Sequence, residues 1–211
     1  AELDQIIAAE RAAETDVANK IIEFEAEKER ERQRQAEEAA RRAAEEAARN
    51  QNSGGGSSSG SGGGSSGGSV VGSGYFGWPC GCTYITSCVG NRYHPISGEW
   101  KYHSGMDIGC SYGDAVWASD SGVVCLADVN GGYGNCVMID HGNGYYTLYG
   151  HLSSISVWAG QAVSAGQVIG AVGSSGIATG PHLHFEIRSG STCLDFSEWF
   201  GGLTYAPDSG G

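Results

Sequence analysis

Residues 181–186 read Pro181-His182-Leu183-His184-Phe185-Glu186, alternating polar and apolar side chains at every step from His182 onward. Successive side chains of a strand point to opposite faces, so His182, His184 and Glu186 share one face while Leu183 and Phe185 turn to a core. Comparable β-rich runs lie at residues 123–126, 136–139, 145–148 and 168–172, with 182–187 as the last of them, and Gly-containing turns separate them. Asn130-Gly131-Gly132 and His141-Gly142-Asn143-Gly144 supply residues that tolerate positive φ, as tight hairpin connections require. The pattern predicts a mainly β domain over residues 75–211, a curled antiparallel sheet long enough to enclose one core.

Working outward, residues 1–52 carry neither Gly nor Pro and are rich in Ala, Glu and Arg, which predicts one long α-helix. Leu3, Ile7, Val17, Ile21 and Phe24 are spaced compatibly with a heptad seam, which Glu10 and Glu14 interrupt. Farther along, Ala36, Ala39, Ala40, Ala43, Ala44, Ala47 and Ala48 form a small-residue stripe beside the Glu37/Arg41, Glu38/Arg42 and Glu45/Arg49 pairs. Two roles are open to such a helix: a coiled coil that binds a partner, itself or its own catalytic domain, and a solvated spacer. Residues 53–74 are almost all Gly and Ser and predict a flexible tether.

The formal charge of -12 is set against only Arg92, Lys101 and Arg188 as basic residues after position 75, so a phosphate-tracking surface is absent and a nucleic-acid partner is not expected. No run reaches the roughly 18 apolar residues of a membrane span. No basic-then-apolar leader opens the chain, which therefore reads as a processed or trimmed fragment. The seven cysteines all lie after residue 79 and suit a disulfide-permissive, extracytoplasmic compartment, with an odd count leaving at least one unpaired. Cys80 and Cys82 are separated by one residue rather than the two to four usual in a zinc knuckle, so disulfides or buried thiols are the expected reading.

A second segment, His103-Ser104-Gly105-Met106-Asp107, adds an imidazole and a carboxylate four positions apart, around a glycine that lets both bend to one point. With His184 this makes three candidate ligands. Two neutral imidazoles and a carboxylate suit Zn²⁺, and three protein ligands leave the fourth tetrahedral position open, as a catalytic site needs. His151, in Tyr149-Gly150-His151-Leu152, offers a further imidazole after a strand.

These motifs, together with Arg92-Tyr93-His94-Pro95-Ile96, Gly132-Tyr133-Gly134-Asn135 and Gly166-Gln167-Val168-Ile169-Gly170, closely resemble the lysostaphin/LytM-type peptidoglycan endopeptidases over nearly the whole domain. The resemblance implies a duplicated-hybrid-motif type of β fold, and one zinc ion per chain held by His103, Asp107 and His184. It makes His151 and His182 unliganded catalytic histidines. It implies an extracytoplasmic, secreted or wall-associated bacterial enzyme that cuts stem or cross-link peptides of peptidoglycan. The alternative is a non-catalytic or gated module that activates another wall hydrolase. Met106 stands where many members carry Ile or Val, which should preserve packing.

Two readings of Glu186 stay open: a carboxylate behind a ligand, steadying it, or a solvent-facing side chain. His94 and His141 are expected to be structural. Tyr102, Tyr133, Tyr146 and Tyr149 are expected to line the cleft with Gly-rich loops, leaving room for an extended, small-residue peptide.

Overall fold

The computed structural model describes residues 2–52, 71–93 and 98–206, excepting the side chains of 2, 3, 47, 48 and 50–52. The tether at 53–70, the segment His94–Ile96 and the side chains of Leu3, Ala47 and Ala48 thus lie outside the described residues. Among the described residues one α-helix, α1 (Glu2–Asn52), precedes thirteen strands. These are β1 (Tyr84–Ser87), β2 (Gly90–Tyr93), β3 (Trp100–His103), β4 (Met106–Gly109), β5 (Ala115–Trp117), β6 (Gly122–Asn130) and β7 (Gly134–Asp140). There follow β8 (Tyr145–Ile155), β9 (Ala162–Val163), β10 (Val168–Val172), β11 (His182–Ser189), β12 (Thr192–Cys193) and β13 (Thr204–Tyr205).

The five runs read as strands all lie in strands. Two extend well beyond the apolar pattern, β6 to Asn130 and β8 to Ile155, because ladder hydrogen bonds continue through polar residues. The short β1–β5, β9, β12 and β13 carry too few residues for a local period to mark them. Strand order in the main sheet is β13-β1-β4-β11-β8-β7-β6-β9, with β2 and β3 forming a separate hairpin. The main sheet is antiparallel apart from one pairing, in which the edge strand β13 joins β1 in parallel.

Register places Asp107 of β4 and Gly150 of β8 on either side of His184 in β11. One face of this row carries Met106, Ile108, Leu183, Phe185, Ile187 and Tyr149 into a core with Phe196, Leu152 and Ile85. The other face is also apolar at Leu126, Cys136, Met138, Tyr146 and Leu148, and there it is closed by Ala13, Val17 and Ile21 of α1. These three residues recur every four positions along one helical face and are each at most 3% exposed.

Residues 2–21 of the helix thus belong to the same compact unit as the β domain, while residues 22–52 belong to a second unit. The Val17/Ile21 part of the predicted seam is spent on this sheet. In the second unit the stripe from Ala36 to Ala44 is exposed. Gly131, at φ 43°, shows how closely the helix approaches: a Cβ there would lie 3.0 Å from that of Ala13. Ile21→Ala is expected to cost about 2–5 kcal/mol in docking of this segment. Amide exchange should then quicken across residues 10–21 while β8 and β11 keep their protection, and unchanged exchange throughout would contradict the contact.

Candidate metal centre and active site

Strand alternation puts His182, His184, Glu186 and Arg188 on one face of β11, and antiparallel pairing sets Asp107 directly across from His184. His103 ends β3 and reaches the same point. Its Nε2 lies 3.2 Å from His184 Nδ1 and 3.2 Å from Asp107 Oδ1, and His184 Nδ1 lies 2.9 Å from that oxygen. Three donor atoms thus form a nearly equilateral triangle. Its edges approach the roughly 3.3 Å expected of one face of a zinc tetrahedron with N and O ligands. The residues present therefore fit a zinc ion.

The remaining ring nitrogens are tied down. His103 Nδ1–H donates to the Cys88 carbonyl at 2.9 Å, which leaves Nε2 with its lone pair toward the triangle. His184 Nε2–H donates to Glu186 Oε1 at 3.0 Å. Glu186 is fully buried, so the solvent-facing reading is wrong. It also accepts from Ser104 Oγ (2.6 Å), Tyr133 OH (2.7 Å) and Arg188 Nε (2.6 Å). Such a carboxylate behind a ligand histidine fixes ring orientation and raises its basicity.

Burial opposes charge on each of these groups, and the neighbours overrule it. The guanidinium of Arg188 and the ring of His184 hold Glu186 far below the usual carboxylate range. His103 and His184 likewise hold Asp107 well down. The two carboxylates lift His184 to about 9.

The glycine between His103 and Asp107 matters for space rather than for bending. A Cβ at Gly105 would stand 2.7 Å from His184 Nε2 and 2.6 Å from the Phe185 carbonyl. Only glycine lets this segment pass under the ring.

His151 and His182 sit beside the triangle, their ring centroids 4.7 Å apart. Each donates Nδ1–H to a backbone carbonyl, His151 to Ser175 and His182 to Gly180, both at 2.8 Å. Each therefore offers Nε2 as an acceptor, and that of His182 is 3.6 Å from Asp107 Oδ1. Burial, with the charges of His184 and His182, pushes His151 down to about 3. His151 is also the one described non-glycine residue at positive φ, 60°. Such strain persists where surrounding structure enforces it, and functional sites are where it clusters.

A family comparison matches residues 101–196 to the peptidase family M23. A point variant of the catalytic domain of the prophage-encoded M23 protein EnpA of Enterococcus faecalis superposes with a TM-score of 0.51 at 30% identity, covering 61% of this chain and 98% of that one. The chain belongs to peptidase family M23.

A zinc-containing peptidase of Vibrio cholerae gives a TM-score of 0.55 at 34% identity over 62% of this chain and 41% of that one. The DD-carboxypeptidase/endopeptidase Mpg of Neisseria meningitidis is 51% identical over 106 residues, which is 50% of this chain and 24% of that protein. The murein hydrolase activator EnvC of Escherichia coli is 43% identical over 112 residues, 53% of this chain and 26% of EnvC. The chain thus spans about a quarter of the length of these curated relatives.

Within this M23 domain the cleft is lined by the triangle, His151, His182, Arg92, Lys101, Tyr102, Tyr133 and the 177–179 loop, and by Glu10, Ala13 and Glu14 of the helix. Lys101 Nζ pairs with Glu10 at 2.5 Å and Asn130 Nδ2 donates to Asp16 at 2.8 Å, so polar contacts flank the apolar ones.

Two of the four tyrosines expected at the cleft lie away from it. Tyr149 is fully buried, accepting from Ser119 N–H at 2.8 Å, because it shares the core parity of Phe185, its partner across the ladder. Tyr146 is covered by the helix-facing cluster. Tyr102 and Tyr133 do line the cleft. His141 is fully buried between the Ser121 carbonyl and Thr147, away from it. Ser104 and Arg188 went unnoticed, although Arg188 merely continues the odd-even alternation of His182, His184 and Glu186. Glu186→Ala leaves the Arg188 guanidinium buried without its anion. It is expected to cost about 3–5 kcal/mol of stability, read as a lowered denaturation midpoint, and a loss below about 1 kcal/mol would refute the role given to this pair.

Proposed function

We propose that the chain is a zinc-dependent endopeptidase that hydrolyses stem or cross-link peptides of bacterial peptidoglycan outside the cytoplasm, and that the first turns of α1 gate its cleft. The observation that carries the activity is the complete donor triangle of His103, Asp107 and His184, with two further histidines beside it that are spared ligand duty. Relatives named as peptidoglycan DD-endopeptidases, such as ShyA of Vibrio cholerae, 46% identical over 96 residues, supply the substrate class.

Zinc bound by such ligands lowers the pKa of a bound water to about 7 and polarises a carbonyl. The protein's part is positional. Glu186 and the Cys88 carbonyl keep the two ligand rings in the tautomers that face the triangle. His151 and His182, pinned through Nδ1, present Nε2 to the cleft, where one, neutral, takes a proton from the attacking water and passes it to the leaving amine, and the other, when protonated at Nε2, steadies the developing oxyanion. Arg92, whose Nε has no partner among the described residues, lies 3.4 Å from Asp107 and adds a cation to the same wall.

Gating is supported by the helix residues that line this cleft. With Glu10, Ala13 and Glu14 in place its volume is about 120 Å³, well under the roughly 300 Å³ at which ligand pockets begin. An extended peptide needs that wall removed. The murein hydrolase activator among the relatives, together with the covered cleft, favours a second reading: a domain that activates another wall hydrolase through the helix.

One set of measurements separates the two. Bound zinc should fall mainly in His184→Ala, while release of amino groups from purified peptidoglycan should fall by at least about 100-fold in both His151→Ala and His184→Ala. Deleting the helix would bare the apolar cluster around Met138 and Leu148, so gating is better tested by substitution. Glu10→Lys with Ala13→Glu is expected to raise cleavage several-fold. Pairing Glu10→Lys with Lys101→Glu should restore the parent rate. Zinc bound without cleavage, even in the opened variant, would leave only the activator reading.

A further inference from the structure

Outside the cleft, three thiols that are far apart in sequence converge. Cys80, Cys82 and Cys110 place their sulfurs within 4.8 Å of one another. Cys110 Sγ is 3.6 Å from Cys80 Sγ, and Cys82 Sγ is 3.5 Å from Asp114 Oδ2. That carboxylate oxygen is already oriented by the Ser111 N–H at 2.8 Å, within a turn that Gly113 completes at φ 92°. The other side is equally fixed. Trp78 Nε1–H donates to the Cys82 carbonyl at 2.6 Å, and Cys80 bridges to Val116.

We propose that Cys80, Cys82 and Cys110 hold a second, thiophilic divalent cation of the zinc type, with Asp114 as fourth ligand. Tetrahedral geometry gives an edge of roughly 3.8 Å between two sulfurs bound at about 2.3 Å, and roughly 3.6 Å between sulfur and a carboxylate oxygen. The two observed separations are near these edges. A disulfide would consume two of the thiols and has no use for a third or for a carboxylate beside Cys82.

Binding converts three thiols to thiolates and releases three protons to the buffer, with no change of oxidation state. Such a site would clamp residues 78–82 onto the turn after β4. Cys110 follows Asp107 by three positions, roughly 10 Å along an extended chain, so the clamp steadies the strand that delivers a cleft carboxylate.

The test uses the whole chain, isolated without reductant, and reads metal rather than activity. Wild type is expected to bind one zinc ion more than Cys82→Ser or Cys110→Ser. Reconstitution with Co²⁺ alone should give a thiolate-to-cobalt charge-transfer band in the near ultraviolet. The band should persist in His184→Ala, which separates this site from the cleft, and vanish in the serine variants. Should those variants fail to fold, Asp114→Asn keeps every thiol and is expected to weaken zinc binding about tenfold or more. An intact mass short by two hydrogens, with a Cys80–Cys110 cross-linked peptide, would overturn the proposal in favour of a disulfide. Free thiols that yield no band and no extra zinc would overturn it as well.

Discussion

A carboxylate sealed from water must have its charge answered, and in this domain Glu186 answers for most of the site. Arg188 neutralises it from two positions along the same strand, while Ser104, Tyr133 and His184 all donate to its Oε1. The ring of His184 is therefore fixed by its far nitrogen, and Nδ1 can face only Asp107 and His103. Partners that leave a buried ion uncompensated are costly to lose, so the same network that orients the donors also holds β11, the turn at 131–133 before β7 and the loop before β4 together. Gly105 is part of this constraint, since any side chain there would enter the space of the ring.

The sheet has two apolar faces, and this explains the helix. One face packs into the main core; the other would expose Met138, Tyr146 and Leu148 were it not for Ala13, Val17 and Ile21. The helix that covers this patch extends toward its N-terminus over the donor triangle. Burial of a few apolar side chains thus places Glu10 and Glu14 against the cleft, where the ion pair with Lys101 holds the segment. Under the proposed gating, stability and access would be coupled through one element, because the residues that cover the apolar face adjoin those that line the cleft.

Much of this was legible in the chain because strand alternation is local. His182, His184 and Glu186 share a face for the same reason that Leu183 and Phe185 do not, and extending the count by two residues would have found Arg188. The same parity, applied across the ladder, would have sent Tyr149 to the core with Phe185. Nothing local could have paired Cys110 and Asp114 with Cys80 and Cys82, or chosen between a solvated and a buried Glu186, since both depend on which strands neighbour one another.

The sequence by itself determined the kinds of donor, their alternation along the last long strand, the helix and its Val17/Ile21 stripe, because backbone periodicity and side-chain chemistry are properties of neighbouring residues. Tertiary structure decided which donors meet at about 3 Å, which carboxylate stands behind them, and that Glu10, Ala13 and Glu14 of the helix line the cleft. Those outcomes follow from sheet register and from the free energy of removing particular apolar and charged groups from water, quantities that exist only once distant segments are packed together.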